Sequence, residues 1–138
     1  MKNIIDLLGR IIIGLFFFYE AFDTMVFFDG TRDTLTSYGV TFAQDLLIVG
    51  SIIILLLGGI MVIIGYYANI GALMLFIYWF TFTVVVYSFW DDPAEVKSIH
   101  IKSFMRNMAL CGGLLILVAN GGRDWSVKRI FHVLRLPK

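Results

Sequence analysis

The chain has 138 residues, of which 59% are hydrophobic, 16% aromatic and 15% charged, where an ordinary soluble domain carries about 25% charged residues. At this length too little interior exists to hide so much apolar surface, so its solvent is lipid. The hydrophobicity excludes intrinsic disorder, the single cysteine excludes a disulfide framework, and a net charge of +1 argues against a nucleic-acid partner.

Crossing about 30 Å of hydrocarbon takes about 20 mostly apolar residues in a helix, and four windows qualify. The first, 7–28, carries Arg10, Glu20 and Asp23 within an otherwise apolar run. Lys2 ahead of that run is reminiscent of a secretory signal, but no small-x-small cleavage site follows, so it reads as a retained signal-anchor helix. The second and third, 46–65 and 70–90, contain no charge, and the short link between them forces an antiparallel hairpin. Thr41 and Gln44 have the spacing of a capping box and predict the start of the second span. Tyr66, Tyr67, Tyr87 and Trp90 suit interfacial aromatic belts. The fourth window, 104–120, carries Arg106 and Asn107. The expected fold is all-α: residues 1–122 form a four-transmembrane-helix bundle, and 123–138 a basic tail.

That tail places Val127, Ile130, Phe131 and Leu134 at helical spacing opposite Lys128, Arg129, His132 and Arg135, which predicts an amphipathic helix at the membrane surface; an ordinary basic tail that enforces topology fits as well. Four spans put both termini on one side. That side holds seven bases and two acids and the other four bases and eight acids, net +5 against −4, so both termini are expected in the cytoplasm.

Charges at bilayer depth cost at least about 2.5–3.5 kcal/mol each and seek partners. Counted at about 1.5 Å per residue from the cytoplasmic edge, Glu20, Asp23 and Arg106 share a level in the outer half. Glu20 and Asp23 lie on one helix face, and the Arg106 guanidinium could bridge both. The expectation is that the first and fourth spans pack with these residues paired, with His100, Asn107 and Tyr19 nearby. Such a cluster is either an ion pair that fixes helix register or a polar pocket for a substrate, a quinone headgroup or a proton. Small residues that let helices approach closely are Ala109 and Gly113 in the fourth span and Gly58 and Gly59 in the second.

The inventory of reactive groups is thin. His100 and His132 are expected on opposite sides of the membrane and cannot share a haem. Cys111 is solitary, which leaves no thiol-exchange, iron–sulfur or zinc set, and no phosphate loop or nucleophile elbow occurs. No metal and no cofactor are expected from this chain alone. Phe16, Phe17, Phe18, Tyr78, Trp79, Phe80 and Phe82 could flank a quinone ring, although such runs also pack against helices or lipid. The outer polar cluster would then supply the groups near the quinone carbonyls, with Glu20 or Asp23 handling protons, Arg106 tuning their charge and His100 relaying them outward.

The stretch from Phe104 to Arg129, with Asn107, Ala109, Leu110, Gly112, Gly113, Gly121, Gly122, Arg123 and Ser126, resembles the final helix and cytoplasmic turn of the DoxX-like family of small four-helix integral membrane proteins. Arg10 and Gly14 in the first span, and Gly58, Gly59 and Gly65 in the second, are similar to the same family. Its members often have a Gly and then a Lys late in the first helix and a Glu early in the second, where this chain has Glu20-Ala-Phe-Asp23 and Val49-Gly50-Ser51; that is either a charge pair exchanged between positions or a pocket lost. The resemblance implies a bacterial inner-membrane location and a redox context, since relatives include a subunit of thiosulfate:quinone oxidoreductase and proteins linked to thiol and radical defence. The expected role is an accessory or structural subunit of a larger membrane complex. Its partners would be lipid and other membrane subunits or further copies of itself. The alternative is a quinone-linked subunit of an oxidoreductase, and transport of a small solute is a weaker third reading because no broken-helix repeat is present.

Overall fold

The computed structural model describes residues 2–87, 89–90 and 93–120, and every regular element among them is helical: α1 Lys2–Val26, α2 Phe28–Ser37, α3 Gln44–Ile64, α4 Ala68–Val86 and α5 Ala94–Asn120. The helices α3, α4 and α5 are each long and apolar enough to cross a membrane; α1 and α2 qualify together as a pair bent by 88°. The expected tail helix lies outside the described residues.

Each long helix packs along the next, α1 on α3, α3 on α4 and α4 on α5. Glycine makes the first two seams close. Gly14 lies against the Ile63 side chain and the Gly59 carbonyl, and a methyl group added at Gly58 would stand 2.6 Å from Leu75 and 3.2 Å from the Gly71 carbonyl oxygen. Absent side chains thus let backbones approach where lipid supplies no hydrophobic drive for helix association. Around these seams Phe17, Leu55, Val62, Leu75, Trp79 and Leu114 form the core. Phe16 and Phe17 meet Trp79 edge-on at 5.4 and 5.5 Å, and Phe82 stacks on Trp79 at 5.2 Å; most of the aromatic run therefore fills the interior.

The first connection holds a helix that no apolar window announces. In α2, Thr31, Thr34 and Thr36 donate their hydroxyls to carbonyls one turn back and Ser37 donates to Thr34. The expected capping box does not form. Ala43 occupies the N-cap of α3 with φ 48° and no side-chain cap, while Gln44 turns backward and donates to the Thr36 hydroxyl at 2.8 Å and the Val40 carbonyl at 2.6 Å.

Helix α2 is thereby tied across the ends of α3 and α4. Arg32 donates to Asp45 at 2.6 and 2.9 Å, and Tyr38 donates to the Val86 carbonyl at 2.9 Å. The hydrogen bond to Asp45, reinforced by its charge, holds the Arg32 guanidinium above its ordinary value.

Candidate functional site

The lack of an extended seam between α1 and α5 decides which polar groups meet. Glu20 and Asp23 lie in the last two turns of α1, both half-buried. Asp23 and Arg106 fall within electrostatic range of the Glu20 carboxyl, so three of the expected residues do share a neighbourhood. They do not close an ion pair: among the described residues the salt bridges join Arg10 to Asp6 and Arg32 to Asp29 and Asp45. The reason is geometric. Helices α1 and α5 share no extended seam; a cleft of about 330 Å³ separates them, lined by Ile12, Ile13, Phe16, Arg106, Asn107 and Leu110. Arg106 thus lies beside the middle of α1, below the acids.

Within that cleft Asn107 is 5% exposed, whereas Arg106 is exposed. His100, expected in a loop, belongs to α5, where its ring meets Tyr87 edge-on at 6.0 Å. Tyr19 faces outward, 64% exposed.

A second cavity, about 280 Å³, lies beneath α2 and between α3 and α4. Thr34, Leu35 and Tyr38 roof it, and Ser51, Tyr78 and Phe82 stand among its walls. The Tyr78 hydroxyl lies near that of Ser51 and within electrostatic range of Glu20, while Ser51 itself donates to the Ile48 carbonyl at 2.7 Å. A neutral ring bearing a carbonyl would find apolar walls here, a phenolic donor and a carboxyl behind it.

The packing residues divide. Gly58 and Gly59 are buried in seams. Gly113 turns toward α1, with room for a methyl 3.8 Å from Ile13. Ala109, expected to pack with it, is exposed, and it shares a strip with Met105, Gly112 and Ile116 that faces away from the bundle. Arg10, a charge in the first window to which the sequence assigned no partner, is 0% exposed and ion-paired to Asp6 at 3.0 Å; a base three residues into an apolar window was the available signal.

Among the described residues no group of His, Cys, Asp and Glu is arranged to hold a metal ion, and Cys111 is a free, buried core residue.

A family model described as DoxX matches residues 5–88. The inner membrane protein YphA of Escherichia coli strain K12 is 23% identical over 128 residues, spanning 93% of this chain and 91% of that protein. No solved structure matches.

Proposed function

The chain belongs to the DoxX family of bacterial inner-membrane proteins, and on that premise we propose that it is an accessory subunit of a larger inner-membrane complex. Four spans, with α1 as the first and both termini in the cytoplasm, complete this reading. The observation that supports it is the outward strip of α5. Met105, Ala109, Gly112 and Ile116 recur at helical spacing and are all exposed, and nothing lies within 4 Å of a methyl group built at Gly112. Small residues on a free helix face let a neighbouring backbone approach closely, so this face suits a helix of another subunit. Purification from native membranes in a gentle detergent should carry a larger membrane partner with the chain, and Gly112→Leu should release it with the fold intact. Migration as a lone chain with lipid, unchanged in Gly112→Leu, would defeat the reading.

A second reading is favoured by the cavity beneath α2: a quinone-linked subunit of an oxidoreductase. Tyr78 would donate to a quinone carbonyl, with Ser51 beside it and Glu20 behind as the proton-handling group. This keeps the site in the half of the bundle where the acids lie and moves it from Arg106 to the Tyr78 side. Here a quinone analogue should bind the purified chain and lose affinity in Tyr78→Phe and Glu20→Gln. Equal affinity in both variants would remove the site.

A further inference from the structure

We propose that the cleft between α1 and α5 is a binding site for an amphiphile with an oxyanion head and an acyl chain, a site independent of the partner face and of the cavity beneath α2. Two observations point to a ligand. Arg106 forms no ion pair or hydrogen bond among the described residues, and a guanidinium held next to lipid seeks a counter-charge. Beside it, the Asn107 side chain is nine-tenths buried, lines the cleft and has no hydrogen-bond partner among the described residues. Its amide therefore opens into the cleft with its hydrogen-bonding capacity free for a ligand's acceptor oxygen.

The arrangement of the lining selects the ligand. The polar pair stands at the cleft end nearer α2, and Ile12, Ile13 and Leu110 continue from it toward the α3–α4 turn. Arg106 offers a planar fork of donors that matches a carboxylate or a phosphate, Asn107 adds amide donors, and the apolar trough fits a hydrocarbon chain. A cleft of about 330 Å³ takes the head and the first part of a chain, with the remainder lying along the bundle in lipid. Glu20, one turn beyond Phe16 on α1 and within electrostatic range of Arg106, competes with the ligand for that guanidinium, and Asp23 adds to the negative charge there. These acids limit how tightly an anion is held.

The test titrates the full chain, in an uncharged detergent, with oleate, with dioleoyl phosphatidylglycerol and with methyl oleate, and counts bound amphiphile by native mass spectrometry. Oleate or phosphatidylglycerol should bind about tenfold or more tighter than methyl oleate; preference for the first assigns a carboxylate head and for the second a phosphodiester. Arg106→Gln should abolish that preference, Asn107→Leu should weaken binding severalfold, and Glu20→Gln should strengthen it. If Arg106→Gln fails to fold, Leu110→Trp provides the second measurement, since it fills the trough and should prevent binding with the charge in place. Equal binding of methyl oleate and oleate, or anion binding unchanged in Arg106→Gln or in Leu110→Trp, would overturn the proposal.

Discussion

The two ends of the bundle are held by different physics. Toward the α3–α4 turn, glycines bring backbones together and the core closes over Val62, Ala72 and Leu75. Toward α2, the elements are joined by hydroxyls and charges: Tyr38 to Val86, Gln44 to Thr36 and Arg32 to Asp45. The cavity beneath α2 lies at this second end, and the α1–α5 cleft lies beside the middle of α1, away from the glycine seams. Close backbone packing leaves no room for a ligand, whereas helices tied at their ends by side chains enclose space between them.

The comparison is most exposed to failure at Arg10. Its side chain is the largest among the fully buried ones and precedes the Gly14 contact by one turn. Arg10→Ala leaves a void and removes the partner of Asp6, and should destabilise the folded chain by about 3 kcal/mol, measured by titration with a denaturing detergent in mixed micelles. Arg10→Met keeps the volume and should lose less. A negligible loss in Arg10→Ala would show that the turn end does not depend on dense packing.

Next in size is the glycine seam. A methyl group at Gly71 would stand 2.7 Å from Met61 Cβ and 3.0 Å from the Gly58 carbonyl oxygen, neither of which is the free end of a flexible side chain. Gly71→Ala should cost about 1–3 kcal/mol in the same titration. At Gly59 the nearest atoms lie at 3.5 and 3.6 Å, an ordinary contact distance, so Gly59→Ala should be nearly silent. Equal effects at the two positions would refute the claim that backbone proximity closes the seam.

Smaller again is Tyr38→Phe at the α2 end. It removes one hydrogen bond, worth about 1 kcal/mol, from an element with no buried residue. The expected outcome is a modest loss of stability and a clear rise in the reactivity of a Ser51→Cys thiol, buried in the wall of the cavity beneath α2. Global unfolding in place of that local opening would mean that α2 belongs to the core.

The same division explains what could be read from the residues. Helices α3 and α4 were legible because each is a continuous apolar run broken only at the Gly65–Tyr67 turn, where Gly65 and Tyr67 take positive φ. Helix α2 was not legible: FDGTRDTLTS is polar and buries no residue, and it is held in place by ties to residues distant in sequence, Arg32 to Asp45 and Tyr38 to Val86. For the site, helix rise alone placed Glu20 and Arg106 in one neighbourhood. The axial count contains neither helix tilt nor the absence of an α1–α5 seam, so the cleft that keeps the pair from closing was beyond it. Ala109 and Gly113 failed as a pair for a related reason, since the rotation of α5 about its own axis turns one toward Ile13 and the other outward.

The smallest expected effect separates the ends most sharply because it concerns an exposed charge. Arg32 bridges Asp29 and Asp45 on the surface, where ions of the medium compete with the pair and screening acts within about 10 Å at 0.1 M salt. Arg32→Gln should therefore leave overall stability nearly unchanged and speed amide hydrogen exchange in residues 28–37 at low salt. Raising the salt should speed the same segment in the unaltered chain and shrink the difference between the two proteins. The α3 and α4 amides around Gly58 and Gly71 should respond to neither change, because their contacts are between backbones and carry no net charge. A salt response of equal size at both ends would mean that the Arg32–Asp45 pair secures the whole bundle, and the contrast between a packed end and a tied one would fail.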